Sequence, residues 1–313
     1  MKCLVTGSAG FIASHLCRML LDAGHKVTGI DVFTDFYPKW IKENNLKPLL
    51  SRSYFNFLSE DIMSANLEVI LKNCDYVFHL AAQAGVRSSW GESFSVYTRN
   101  NIETTQKLLE ISRNSSLKRF IYASSSSVYG DCRELPMTEE SLLLPYSPYG
   151  VTKLAGENLC GLYHKNYGVP TISLRFFTVY GPGQRPDMAF HKFCKASLEN
   201  KEITVFGDGT QTRDFTYIDD IVRACISCMD KGREGEIYNI GGGVRRKLCD
   251  IFPILESLTG KKVKIKNIAK QKGDVPDTYA LIEKAKKDLE FTPETKLQDG
   301  LLKEWNWIQQ LYS

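Results

Sequence analysis

The 313-residue sequence has no long hydrophobic run. Nothing in it approaches the ~18 consecutive apolar residues that span a bilayer, so a helical membrane span is excluded. Charge of one sign is lacking as well. Lys and Arg number 40 against 36 Asp and Glu, a net +4. So mild an excess, spread along the chain, is no nucleic-acid footprint, although a few placed arginines could still serve an anionic small molecule. A disulfide framework is missing too, because the nine cysteines are odd in number and irregularly spaced. Cys225 and Cys228 form a lone Cys-x-x-Cys within a helical pattern. Without a second pair or a nearby His it reads as helix packing, and no metal is expected. The opening run Met1-Lys2-Cys3-Leu4-Val5 is too short for a secretion signal and suits a buried strand. Reduced thiols complete the expectation of a soluble, cytoplasmic protein with neither membrane nor nucleic acid as partner. Internal repeats, low-complexity tracts and long linkers are also wanting.

What is present is a chain of ordinary globular composition, 43% apolar and 24% charged. It is too long for one common core and predicts two domains, or one with a large appendage. Short apolar runs alternate with helical patterns through the first half. Cys3–Val5, Val27–Ile30, Tyr54–Phe57, Tyr76–Leu80, Phe120–Ala123 and Thr171–Phe176 read as strands. Ser14–Ala23 and Ile102–Ser112 read as helices. This alternation predicts an α/β fold, a Rossmann-type doubly wound parallel sheet with its ligand at the strand carboxyl ends. After Gly181-Pro182-Gly183 the rhythm changes to mixed helices, short strands and Gly-rich turns. Residues 1–180 therefore read as one domain and 181–313 as a smaller mixed α/β substrate-binding lobe. The border stays open, because the stretch 214–241, Ile237–Ile240 in particular, reads as a return to the sheet.

Directly after the first strand comes Gly7-Ser8-Ala9-Gly10-Phe11-Ile12-Ala13. Glycines are needed where backbone turns tightly and approaches a pyrophosphate, and the following helix offers unpaired N–H groups to that anion. Ala13 stands at the third small position, where close helix–strand packing still admits alanine. Alone, the motif is equally a tight βα turn. Asp31, at the end of the second strand, strengthens it, since an acid there accepts hydrogen bonds from an adenosine ribose. A 2′-phosphate would meet like charge, so NAD is expected rather than NADP. Asp61-Ile62 follows the third strand and suits either adenine contact or a helix cap.

Tyr149-Gly150-Val151-Thr152-Lys153 sets Tyr and Lys four apart behind Pro148. On a helix they share a face. A phenol has a reference pKa of about 10, and a nearby ammonium favours its ionised form, which makes Tyr149 a candidate base. Two exposed helix residues would be the plain alternative. Upstream, Ser124-Ser125-Ser126-Ser127-Val128-Tyr129-Gly130 ends the fifth strand and offers a hydroxyl beside Tyr149.

Together these motifs resemble the extended short-chain dehydrogenase/reductase superfamily, specifically its nucleotide-sugar epimerases. The resemblance covers nearly the whole chain. It adds Leu80-Ala81-Ala82-Gln83, Asn100-Asn101, Arg175-Phe176-Phe177, Gly207 through Phe215, and Gly273-Asp274-Val275 to the motifs above. Within the group, the chain looks most like the UDP-glucuronate 4-epimerases. Ala81 through Arg87, Phe177-Thr178-Val179-Tyr180-Gly181-Pro182 and Arg185-Pro186-Asp187-Met188-Ala189 carry that likeness. Galactose-type epimerases usually have Asn where Thr178 stands. Dehydratases place Asp-Glu, and related decarboxylases often Glu, in the segment held here by Ser126-Ser127.

The resemblance implies Tyr149, Lys153 and Ser125 as catalytic residues. It implies cofactor contacts from Gly7, Gly10, Phe11, Ile12, Asp31, Asp61, Ile62, Leu80, Ala81, Ala82, Gln83, Asn100 and Phe177. The UDP-sugar would meet Arg87, Ser125, Ser126, Ser127, Thr178, Arg185, Met188, Ala189, Gln211, Arg213 and Asp274. Arg213 and Asp274 align with pyrophosphate and ribose contacts. Hydroxyls of Thr178 and Ser126 or Ser127 would take a uronate carboxylate, while Arg185 contacts the substrate or closes the loop over it. The implied reaction is C4 oxidation by NAD, turning of the 4-keto sugar, and return of hydride to its other face. Rival readings are a UDP-hexose 4-epimerase, a UDP-glucuronate decarboxylase, and a cofactor-binding sensor without catalysis. A homodimer through helices near Ile102–Ser112 and Leu154–Tyr167 is also implied.

Overall fold

The computed structural model describes residues 1–313. Its elements run β1 (Lys2–Thr6), α1 (Phe11–Asp22), β2 (Lys26–Ile30), α2 (Lys39–Leu50), β3 (Phe55–Leu58), α3 (Leu67–Leu71), β4 (Tyr76–His79), α4 (Phe94–Tyr97), α5 (Thr104–Ser112), β5 (Arg119–Ser125) and α6 (Pro148–Tyr167). They continue with β6 (Thr171–Phe176), β7 (Thr178–Tyr180), α7 (Ala189–Leu198), β8 (Ile203–Phe206), β9 (Thr212–Tyr217), α8 (Ile218–Ser227), β10 (Ile237–Ile240), β11 (Arg245–Lys247), α9 (Ile251–Thr259), β12 (Ile265–Ile268), α10 (Glu283–Leu289) and α11 (Leu297–Tyr312). No helix is long and apolar enough to cross a membrane.

Seven strands form one sheet in the order β10-β6-β5-β4-β1-β2-β3, every pair parallel. Parallel sheets carry helices on both faces, so their strands bury both sides. The burial of all of β4 and β6 follows that rule. Beside it stand a three-stranded sheet, β11-β9-β7, and a two-stranded one, β12-β8. The chain leaves the large sheet after Phe176, begins the small sheet at Thr178, and returns as β10 beside β6. Two apolar cores result: a large one that runs from Cys3 of β1 to Ile308 of α11, and a smaller one that joins Leu4, Ile30, Val77 and Phe120 of the sheet to Leu108 and Leu109 of α5.

The doubly wound sheet matches the fold class that the sequence implies. Several elements differ in extent. Helix α1 begins at Phe11 rather than Ser14, because Gly10 already serves as its N-cap. Strand β5 reaches Ser125, so the serine run starts on the strand itself. The helix expected at Ile102 starts at Phe94 and passes through a π-helical turn, Thr98–Glu103, before α5. Helix α2 escapes the sequence pattern. Only Ile41, Lys42, Leu46 and Leu49 are buried in it, and Pro48 sits in its last turn.

Candidate active site

The first strand-turn-helix builds a phosphate-sized cradle. Gly7 has φ +71, and a Cβ there would lie 2.9 Å from Ala81 Cα. Only glycine allows both the conformation and the approach. Its N–H donates to Ile30 O at 2.8 Å, and Gly10 N–H closes the turn onto Gly7 O at 2.8 Å. No side chain caps α1, so its first-turn N–H groups face the turn open to an anion. Asp31 follows β2. Its carboxylate accepts from Ala9 N at 3.2 Å and from Phe33 N at 2.8 Å.

Thr6 braces the opposite wall. Its hydroxyl oxygen accepts from the N–H groups of Leu80 at 3.1 Å and Ala81 at 3.0 Å. With those donors fixed, its proton goes to His79 Nδ1 at 2.8 Å. His79 Nε2–H then points to Thr105 Oγ1 at 2.9 Å. Burial pushes this imidazole down to about 3, which keeps it neutral. The π-helical turn aims Asn101 inward. Its amide takes Gln83 N–H at 2.7 Å and donates to Gln83 O at 3.0 Å and Thr152 Oγ1 at 2.8 Å.

One cleft at the strand carboxyl ends gathers most of the expected residues. Gly7, Gly10, Phe11, Ile12, Asp31, Asp61, Ile62, Leu80, Ala81, Ala82, Gln83, Asn100, Tyr149, Lys153 and Arg185 all line it. Asp61 also caps its own turn through Met63 N at 2.9 Å and pairs with Arg99 at 2.6 Å. Phe177 is placed differently. It is 1% exposed and packs on Tyr129, while its neighbour Phe176 faces the cleft. Lys42, Phe36 and Tyr37 line it too, from the loop and helix after β2. Spacing gave no signal for them. Lys42 is buried, donates to Thr34 O at 2.8 Å and lies over the Tyr37 ring.

Tyr149 sits at the start of α6, where Ser147 caps the helix by accepting Gly150 N–H at 3.1 Å. Burial pushes its phenol up, and the Arg185 guanidinium and the Ser125 hydroxyl oppose that. Lys153 is 3% exposed and donates to Ala123 O at 2.7 Å. Burial lowers it to about 8 against the pull of Glu157. Arg185, which the spacing does not announce, adds a guanidinium whose charge acts on Tyr149. Ser125 Oγ accepts Ser127 N–H at 3.1 Å, and Ser126-Ser127 open a short 3-10 turn. Gly150 packs against that turn, since a Cβ would meet Ser127 O at 2.5 Å. Beneath lies a buried network. Glu157 takes both arms of Arg175 at 2.9 Å and also the Ser124 hydroxyl, while Arg175 reaches Tyr129 OH at 2.8 Å.

Arg185 lies in the loop before α7, where both arms pair with Asp187 at 2.9 Å, close to the Phe36 ring. Thr178 starts β7, half-buried, in the small sheet rather than on the large one. Met188 precedes α7 and Ala189 opens it.

A second cluster forms where the small sheets meet the 80s loop. Arg87 stacks over the Phe206 ring at 3.8 Å and grips Asp274 at 3.1 and 2.6 Å. Arg213 donates to the carbonyls of Thr212, Val275 and Pro276. Burial lowers its pKa, with Asp274 and Asp277 opposing. Gln211 donates to Phe206 O at 3.0 Å, and its own oxygen is buried without a partner. Such an orphaned acceptor marks a place for a donor from outside the chain. Phe206 was not foreseen, though it directly precedes Gly207-Asp208-Gly209. No group of three His, Cys, Asp or Glu residues could hold a metal ion.

The model of the NAD dependent epimerase/dehydratase family matches residues 3–241. YtcB of Bacillus subtilis (strain 168), named an uncharacterized UDP-glucose epimerase, is 47% identical over 100% of this chain and 99% of its own. UDP-glucuronate 4-epimerase of Thermodesulfobacterium geofontis (strain OPF15) is 42% identical over 98% of this chain and 96% of its own. Among solved structures, UDP-glucuronic acid 4-epimerase from Bacillus cereus, in complex with UDP-glucuronic acid and NAD, superposes with a TM-score of 0.97. That similarity is 48% in sequence and covers 100% of both chains. The chain belongs to the NAD dependent epimerase/dehydratase family.

Proposed function

We propose that this chain inverts C4 of UDP-glucuronate to give UDP-galacturonate, with NAD held in the cleft. NAD supplies the hydride acceptor and donor at C4, so net redox change is nil. The cradle suits it, because the Gly7 approach and the open N-terminus of α1 match a pyrophosphate and Asp31 matches an unphosphorylated ribose.

The chain's own residues supply the acid–base work. Tyr149 takes the proton of the sugar 4-hydroxyl and later returns it. Ser125 hydrogen-bonds the same oxygen. Lys153 adds positive charge beneath as long as it keeps its proton, below a pKa of about 8. Arg87, Gln211, Arg213 and Asp274 hold the UDP moiety, with Met188 and Ala189 beside it. The large sheet, which takes β10 back from the later part of the chain, thus carries the cofactor, and the remainder of 181–313 joins Arg87 in holding the UDP-sugar.

The observation that carries a uronate over a neutral hexose is Arg185 lining the cleft that holds Tyr149. Its guanidinium is a planar fork whose Nε–Nη2 edge pairs with Asp187, which leaves the Nη1 side for a carboxylate. In this reading the hydroxyls of Ser126 or Ser127 and of Thr178 also take the carboxylate, although none of them lines the cleft in this structure. The oxidised uronate is a β-keto acid prone to lose carbon dioxide, so its carboxylate must be held. The 48%-identical relative with UDP-glucuronic acid bound supports this reading. A UDP-hexose 4-epimerase is the second reading, favoured by the name of YtcB. Incubation with UDP-glucuronate and with UDP-glucose, with products resolved by NMR, tests the two. Equal turnover of both sugars would leave the second.

Two further parts belong to this reading. The chain works in the cytoplasm, where its nine free cysteines stay reduced. It pairs with a second copy through the α4–α6 face, which leaves Val96, Val151, Leu162 and Tyr167 exposed.

A further inference from the structure

The turn that carries Arg185 is pinned from the far end of the chain. Gly181 N–H donates to Glu304 Oε2 of α11 at 2.8 Å. Glu304 is 0% exposed, and its other oxygen has no partner. Gln184, next to Arg185, is buried and bound on every side. Its amide donates to Val179 O at 3.0 Å and accepts His191 N–H at 2.9 Å. Its carbonyl faces His191 Nδ1 at 2.7 Å. A carbonyl only accepts, so Nδ1 carries the proton. The ring is fully buried, and burial holds its pKa below the ordinary value. It is therefore neutral, and Nε2 accepts from the Tyr312 hydroxyl at 3.0 Å. Tyr312, in the last turn of α11, packs edge-on against Trp40 and lies beneath Lys195. No residue of α7 or α11 lines the cleft itself.

We propose that His191 and Tyr312 are positioning residues for substrate choice. The chain of bonds Tyr312–His191–Gln184 sets where the Arg185 guanidinium stands beside Tyr149. This rests on the reading of Arg185 as the group that meets the sugar carboxylate. A merely structural chain would affect every ligand alike. A positioning chain affects the uronate and spares the neutral sugar.

Two small substitutions cut the Tyr312–His191 link from its two ends. Tyr312→Phe removes one hydroxyl and keeps the ring contacts. His191→Asn keeps a donor near the Nδ1 position and loses the link to Tyr312. In the NAD-loaded full chain, calorimetry with UDP-glucuronate and with UDP-glucose gives the two dissociation constants, and melting curves report the fold. Each variant should bind UDP-glucuronate about fivefold more weakly, the size of one hydrogen bond, with UDP-glucose unchanged. The double variant should lose no more than either single one, because both cut the same chain. Unchanged uronate binding in both variants, or equal weakening of both sugars, overturns the inference. If the unmodified chain already binds the two sugars alike, the reading of Arg185 falls and the inference with it. If it prefers the uronate and the variants keep that preference, only the inference falls.

Discussion

Glu157 and Arg175 meet in a two-armed ion pair, both bonds 2.9 Å, with 1% of either side chain exposed. Glu157 lies one helical turn beyond Lys153 and also takes the Ser124 hydroxyl. The pair therefore ties the helix of Tyr149 to the strand ends that bear the serines. Stranding one buried charge typically costs ~3–5 kcal/mol, so Glu157→Ala should unfold at markedly lower denaturant. Glu157→Gln should be milder and should lower Lys153 further, since Glu157 pulls it upward. The alkaline limb of the pH–rate profile would then move to lower pH. A limb that stays in place would show that Lys153 does not feel Glu157.

Tyr149→Phe removes the base and keeps the ring. Turnover should drop by at least ~10²-fold, as for loss of general base catalysis, with UDP-sugar binding retained. Near-normal turnover in steady-state assays would return Tyr149 to the role of a packing residue.

Lys153 gives a pH dependence with opposite signs for rate and stability. Burial lowers its pKa from 10.5 to about 8. Above that value the folded chain has lost the ammonium, so uronate turnover should fall as pH rises through it. Unfolded lysine keeps its proton up to its ordinary value, so the unfolded state binds more protons between the two. Stability from this group should therefore rise over that window. Rate profiles and denaturant midpoints from pH ~7 to ~10 test both signs around a reference lysine pKa of ~10.4. A rate that stays flat to the top of the range contradicts the assignment.

The nucleotide released by denaturing the purified protein should be NAD. Asp31 motivates this, since a 2′-phosphate beside its carboxylate meets like charge. Asp31→Ser should lose NAD more readily and accept added NADP. Recovery of NADP from the unmodified chain would overturn the role given to Asp31.

Arg185→Ala should weaken uronate turnover roughly tenfold or more, the scale of a hydrogen bond to a charged group. Thr178→Ala should narrow the preference between UDP-glucuronate and UDP-glucose, or let carbon dioxide appear. Kinetics on both sugars, with carbon dioxide followed in parallel, read these effects. Arg185→Ala with full uronate activity would make the residue a loop charge.

The sheet was legible because its strands are short apolar runs set apart by turns, and a parallel sheet leaves that imprint directly. Gly7, Asp31, Tyr149 and Lys153 were legible for a local reason: their spacing already implies shared geometry. Phe176 and Phe177 were not separable, because a one-residue shift at a strand end reverses which side chain faces out. Lys42 was hidden because Pro48 and a thin apolar stripe obscure α2. Phe206 meets Arg87, and Tyr312 meets His191, only through folding that brings distant segments together. No local pattern announces such meetings. Arg185, whose charge opposes burial at Tyr149, likewise comes from another loop and leaves no local trace in the sequence.

The excursion between β6 and β10 bears on how sugar preference could be moved between relatives. A single crossover near residue 181 would carry β10 away with the donor's lobe. Strand β6 would then depend on a foreign neighbour, and a mismatch there leaves a bare parallel edge that recruits other chains. A working transplant needs three seams, one between β6 and β7 and one on either side of β10, so that β11 and β12 travel with their partners β9 and β8. It must also bring α11, because that helix packs on α7 and ties down the Gly181 turn. Chimeras cut at those seams should stay dispersed, and those cut once near 181 should aggregate.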